Sequence, residues 1–304
     1  NTLPTGWVRV RTQSGNLGYV EGKYLSDKTV EREETVYEKQ IDGKISIAWE
    51  YFSEYATAPD NTGIKYDGVN VVSPSFFRLN LQNTEKEDLT MFDVVSQAKL
   101  IKKYNLDGIN LDFEYMYQDD NEAFSKFIIE LAPQLRAKGK CLSVDVTAPN
   151  GGENWSLCYN RNLIGEVADY VVFMGYDQYG TSVIGTTSGY NWLKNNINNF
   201  LTYEEVPSDK LILGLPFYTK LWQTKDGETI KGTAIAMNNV GSTLPANVSK
   251  EWLEDLQQYY VQYEQGGYVY KMWIEDEESF SKKMELIKDY NLAGAAYWRK
   301  GLES

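Results

Sequence analysis

The sequence predicts an α/β fold, most simply a (β/α)8 barrel of the TIM type. A small α+β insertion is expected before the last helix and strand, and a short β segment at the N-terminus. Three observations lead there. From Gly43 onward, short apolar runs alternate with amphipathic stretches, the rhythm of a parallel sheet with crossover helices. The chain has 304 residues, enough for one large barrel with a small module. Between Tyr218 and Asp276 the rhythm breaks, and Tyr263 to Trp273 reads as a hairpin around Gly266-Gly267.

The elements follow in order. Trp7 to Arg11 alternates, Ser14-Gly15-Asn16 supplies a turn, and Gly18-Tyr19-Val20 follows, so residues 1–30 read as a β segment. It is too short to bury a core alone. Residues 31–40 continue a charge-rich stretch and read as a linker. Barrel strands are expected at Ile45–Trp49, Val69–Val72, Gly108–Phe113, Leu142–Val146, Tyr170–Met174, Leu211–Leu215 and Gly294–Trp298. Helices are expected over 121–137 and 277–290. The barrel thus spans residues 41–304, with the insertion at about 222–274. Only 33 residues separate Ser73 from Asp107, where a helix, a strand and a second helix are due. A βα repeat usually takes ~30 residues or more, so one strand there is missing, shortened or unrecognised.

Composition narrows the chemistry. With 42% apolar and 24% charged residues, the chain is an ordinary globular protein. Tyr (23) and Trp (8) are abundant, and their flat apolar faces suit sugar rings as well as cores. A formal charge of −13 repels phosphate backbones, so nucleic acid is not an expected partner. No apolar run is long enough to span a bilayer. Asn1-Thr2-Leu3-Pro4 is not a signal peptide, so any export signal lies outside these residues. There is no histidine, which excludes Ser-His-Asp and Cys-His catalysis and deprives a zinc hydrolase of its usual ligands. Cys141 and Cys158 either form one disulfide or leave a buried free thiol at Cys141. No metal or organic cofactor is implied.

The most informative segment is Asp107-Gly108-Ile109-Asn110-Leu111-Asp112-Phe113-Glu114. Strand side chains alternate, so Asn110, Asp112 and Glu114 share one face and Ile109, Leu111 and Phe113 the other. In a barrel the apolar face meets the helices, and Glu114 reaches the C-terminal mouth where barrel active sites lie. Two carboxylates at i and i+2 raise one another's pKa, which keeps one protonated near neutrality. A protonated Glu is suited to donate to a glycosidic leaving oxygen. A solvated strand end or a structural carboxylate cluster is the competing reading.

This segment resembles the DGxDxDxE signature of glycoside hydrolase family 18. It is most similar to the bacterial cell-wall branch, the peptidoglycan and spore-cortex N-acetylglucosaminidases, which carry Asn where this chain has Asn110. Further resemblances lie at Lys44–Glu50, Val69–Phe77, Met174-Gly175-Tyr176-Asp177, Gly214–Tyr218 and Trp298-Arg299. Residues 1–30 resemble half of an SH3-like wall-binding module. The resemblance implies substrate-assisted retention, with the substrate's 2-acetamido oxygen as nucleophile. Glu114 is implied as acid and then base, Asp112 as orienter of the acetamide N–H, and Tyr176 as donor to the acetamide oxygen. Asp177 is implied to bind a sugar hydroxyl or steady Glu114, and Trp298 to floor the cleavage subsite. Tyr218, Asn110 and Met174 complete the expected substrate-binding set. Trp298 and Tyr176 also suit core positions, and the Met174 thioether suits packing. Asn110 cannot ionise, so Asp112 is expected to lack a like-charge neighbour below and to rely on Glu114 above.

The implied partner is an N-acetylglucosamine polysaccharide, peptidoglycan or spore cortex ahead of chitin. The implied location is extracellular, cell-wall or spore, with association to the wall. A non-catalytic lectin on the same barrel is the alternative from another class.

Overall fold

The computed structural model describes residues 7–11, 17–26, 41–52, 63–75, 106–180 and 183–304. Near the N-terminus, β1 (Trp7–Arg11) and β2 (Leu17–Glu21) pair antiparallel, as the alternation predicts. The expected turn at 14–16, the linker at 31–40 and the region of the unrecognised strand lie outside the described residues.

The main sheet begins with β3 (Ile45–Glu50), β4 (Val71–Pro74) and β5 (Gly108–Leu111). Helix α1 (Asn121–Arg136), β6 (Cys141–Val146), α2 (Arg161–Val167), β7 (Tyr170–Met174), α3 (Tyr190–Thr202) and β8 (Leu211–Pro216) follow. Next come β9 (Tyr218–Lys225), β10 (Glu228–Ala236), α4 (Val240–Thr243), β11 (Lys250–Leu253), β12 (Gln258–Gln265) and β13 (Tyr268–Trp273). Helix α5 (Glu277–Asp289) and β14 (Gly294–Trp298) close the chain.

Seven strands form one parallel sheet in the order β4-β3-β14-β8-β7-β6-β5. The sheet curls into a nearly closed barrel. Its two edges meet through side chains, since Ser73 Oγ on β4 donates to Asn110 Oδ1 on β5 at 3.3 Å. Alternation sorts the core into two layers. Ile45, Ile47, Trp49, Val172, Ile212 and Ala296 fill the barrel. Leu142, Val144, Phe173, Leu213 and Leu215 face outward onto Ile128, Leu131, Leu163, Ile197 and Phe200 of the helices. At the bottom of the sheet β14 and β3 approach so closely that a Cβ on Gly294 would lie 1.9 Å from Ile45 O.

One strand starts two residues later than expected. The apolar run at 69–72 predicts pairing from Val69, whereas β4 begins at Val71. Gly68 has φ +73°, and the Asn70 side chain takes over the ladder's work. Its Oδ1 accepts from Ser46 N (2.8 Å) and its Nδ2 donates to Lys44 O (3.0 Å).

The insertion before the last helix and strand is a second, antiparallel sheet, ordered β10-β9-β13-β12-β11, with α4 over a small core of Val240, Val261, Met272 and Ile274. Its central hairpin turns at Gly266 (φ +61°) and Gly267 (φ +78°), a pair of left-handed positions that favours glycine at both. No disulfide joins Cys141 to Cys158, so that alternative falls. Cys158 is the fully buried one, and Cys141 is only partly covered at the start of β6. Among the described residues no helix is long and apolar enough to cross a membrane.

Candidate active site

The site grows out of β5. Ladder pairing stops at Leu111, two residues short of the predicted strand, but the side chains go on alternating. Phe113 packs outward on Phe124 (5.4 Å between centroids) and Phe127 (6.0 Å), while its carbonyl accepts from Tyr159 Oη at 2.7 Å. Asp112 and Glu114 are both open to solvent at this end of the strand and act on one another.

Beneath them Asn110 bridges four strands. Its Oδ1 accepts from Trp49 Nε1 (2.8 Å) and Ser73 Oγ, and its Nδ2 donates to Ser143 Oγ (2.9 Å) and Asp145 Oδ1 (2.6 Å). Two lone pairs and two N–H groups are the whole capacity of a primary amide. Asn110 therefore braces the barrel and keeps no bond for a sugar, which revises its place in the expected substrate-binding set.

Asp145 is a residue that sequence reasoning missed. It lies on the inward face of β6, is 1% exposed, and leaves Oδ2 buried without a hydrogen-bond partner. The sequence did carry a signal, because Ser143 and Asp145 alternate with Leu142, Val144 and Val146. Its position also overturns the expectation that Asp112 has no like-charge neighbour but Glu114. Asp112 and Asp145 act on one another across the two strands.

The carboxyl groups are held toward their protonated forms. Asp112 and Glu114 each keep an accessible edge, yet protein crowds the barrel side. Partial burial raises Asp112 to about 6. Burial, then Asp112, then Asp177 raise Glu114 to about 7. Burial and the neighbouring acids push Asp145 well above the usual carboxylate range.

The opposite wall comes from the end of β7. Gly175 lies against β8, where a Cβ would come within 2.6 Å of Gly214 O. Tyr176 then points into the barrel, and burial with the nearby Asp112 and Asp145 pushes its phenol well above 10. Asp177 follows in a left-handed conformation (φ +52°), which Asp tolerates better than most residues. Its Oδ1 pairs with Lys220 Nζ at 2.8 Å, and Tyr218 hydrogen-bonds to it. Lys220 also donates to Tyr179 O (2.9 Å), so the insertion's first strand fastens the loop carrying Asp177. The Tyr176 and Tyr218 rings meet edge to face at 6.4 Å. Met174 is buried on the inward face of β7, one step below Tyr176. Trp298, at the end of β14, packs edge-on against Trp49 at 5.9 Å. The structure thus gathers Asp112, Glu114, Tyr176, Asp177 and Tyr218 around one opening and adds Asp145 and Lys220.

The chain is similar to known proteins in sequence and fold. The model of Glycosyl hydrolases family 18 matches residues 72–302. The uncharacterized glycosylase YvbX of Bacillus subtilis is 30% identical over 67% of this chain and 60% of its own length. A cortical fragment-lytic enzyme of the same organism is 27% identical over 69% of this chain and 49% of its own. The chain therefore spans about half to three-fifths of the length of these curated relatives. A chitinase from Chromobacterium violaceum superposes with a TM-score of 0.64 at 26% identity, over 69% of this chain and 67% of that one. With its carboxylate strand at the barrel mouth and a family match covering most of its length, the chain belongs to glycosyl hydrolase family 18.

Proposed function

We propose that this chain is a retaining glycoside hydrolase that cleaves β-linked N-acetylglucosamine glycans by substrate-assisted catalysis, with peptidoglycan or spore cortex as the polymer. The observation that carries the reading is that Asp112 and Glu114 are both exposed at the C-terminal end of β5 and act on one another, with burial and Asp112 pushing Glu114 up to about 7.

Glu114 gives its proton to the glycosidic oxygen as the C1–O bond breaks. The substrate's 2-acetamido oxygen attacks C1 from the opposite face and closes an oxazolinium ring. Asp112 accepts the acetamide N–H and balances the positive charge, and the Tyr176 hydroxyl donates to the acetamide oxygen. Glu114, now a carboxylate, takes a proton from water as that water opens the ring, and two inversions give net retention. Asp177, held by Lys220 and Tyr218, binds a sugar hydroxyl, and Trp298 floors the subsite. Met174 packs beneath Tyr176.

The cortical fragment-lytic relative supports the cortex polymer. The same reading places the enzyme outside the cell, at the wall or spore, with the β1–β2 hairpin as part of an SH3-like wall-binding module. A second reading, hydrolysis of chitin, is favoured by the chitinase with 26% identity. Reducing-end analysis of digested peptidoglycan and chitin distinguishes them.

The mechanism is tested by Glu114→Gln. A lost general acid costs about 10²–10⁴-fold in rate, so turnover of a fluorogenic N-acetylglucosamine oligomer is expected to fall by that much while glycan binding persists. Turnover near wild type refutes the assignment of Glu114.

A further inference from the structure

Asp145 is a buried acid that the mechanism above does not use. The register that pairs Asn110 with Ser143 and Leu111 with Val144 carries on to set position 112 beside position 145. Adjacent strands run about 4.8 Å apart, so inward side chains at one level reach each other. Asp145 Oδ1 is occupied, since it accepts from Asn110 Nδ2 at 2.6 Å. Oδ2 is buried and without a partner. An ionised oxygen left bare in that position is costly, whereas a hydroxyl there can serve as a donor. The groups facing it are Asp112 and Glu114 from the β5 end, Asn110 from β5, Ser143 from its own strand, Tyr176 from the β7 end, and Tyr159 further out. Among the described residues no cation acts on Asp145.

We propose that Asp145 is a positioning residue that holds a proton on Oδ2 and donates it to Asp112, so that Asn110, Asp145 and Asp112 form one ordered chain beneath the cleft. The inference rests on the reading of Asp112 and Glu114 as the catalytic pair. The two aspartates then carry one proton between them, and Asp112 stays anionic while fixed by a hydrogen bond from below. Such a pair titrates in two steps that belong to both residues. The elevated pKa of Asp145 agrees with this.

Asparagine at 145 copies the protonated acid, because its carbonyl can accept from Asn110 and its amide can donate to Asp112. Alanine supplies neither. Asp145→Asn is therefore expected to keep kcat within about 3-fold of wild type. Asp145→Ala is expected to lose about 10–100-fold in kcat with KM little changed, less than the ~10²–10³-fold cost of removing a donor that touches the transition state. Its acid limb in the kcat–pH profile moves to higher pH, since Asp112 has lost the bond that favours its charge. A structural role alone predicts parallel losses of stability without a displaced limb. Should Asp145→Ala not fold, carbon-13 carboxyl titration of the aspartates in the wild-type protein replaces it, and two linked steps at least about 2 pH units apart are expected. Asp145→Asn as inactive as Glu114→Gln, Asp145→Ala with wild-type kcat and limb, or independent aspartate titrations overturn the proposal. A Glu114→Gln enzyme that still turns over instead overturns the catalytic reading on which it rests.

Discussion

Asn110 decides how charge is distributed beneath the cleft. A carboxylate in its place keeps the bonds from Trp49 and Ser73 but loses both donors, and it sets a second acid against Asp145. Added negative charge makes neighbouring acids harder to ionise. Asn110→Asp is therefore expected to fold and to move the acid limb of kcat/KM upward in pH. An unmoved limb would show that position 110 is not coupled to Asp112. For the wild type, Asp112 must be charged and Glu114 protonated. With the two at about 6 and about 7, the profile is expected to be a narrow bell that falls below the first value and above the second. A plateau extending to pH 9 contradicts the role of Glu114.

At the level of elements, the insertion is tied to the barrel by a buried polar cluster. Glu275 precedes α5, Lys283 lies on it, and both side chains are completely buried. Lys283 Nζ reaches both carboxylate oxygens of Glu275, with the longer contact at 2.6 Å. Ser279 Oγ (2.9 Å) and Gln258 Nε2 on β12 (2.9 Å) donate to the same carboxylate. Thr186, in the loop after β7, donates to Gln258 and links the cluster to the segment behind Asp177. Removing one member of a buried ion pair strands the other and costs about 3–5 kcal/mol, whereas replacing both with apolar residues is often neutral. Lys283→Met is thus expected to destabilise by that amount in denaturant unfolding, and Glu275→Leu with Lys283→Met to recover most of it. Equal losses in single and double variants would contradict this. None of this cluster is legible in the sequence. Its members come from a loop, a strand and a helix whose meeting depends on how the insertion docks.

Over the whole molecule, the site and the formal charge of −13 pull the same way. Asp112 and Glu114 have folded pKa values above their unfolded ones, so the folded state binds more protons than the unfolded one between those values. Stability is then greatest below about pH 4 to 5 as far as these two groups are concerned, and it declines as pH rises through about 6 and 7. Glu114→Gln removes one such group. Its Tm is expected to exceed that of the wild type at pH 8 and to match it near pH 5, by thermal melts at fixed ionic strength. A lower Tm at pH 8 contradicts the shift assigned to Glu114. The same variant that loses turnover gains stability, a trade common where a site holds unfavourable charges.

The parity of residues 110, 112 and 114 was settled by the sequence alone. Alternation along an extended chain is local, and it survives even where the ladder stops at Leu111. The strand–helix rhythm and the place of the insertion were legible for the same reason. Three things were decided only by tertiary structure. Asp145 comes beside Asp112, Lys220 clamps Asp177, and Asn110 commits its whole amide to four neighbouring side chains. Each depends on register between strands or on docking of a separate sheet, and periodicity within a segment does not encode which segments will meet.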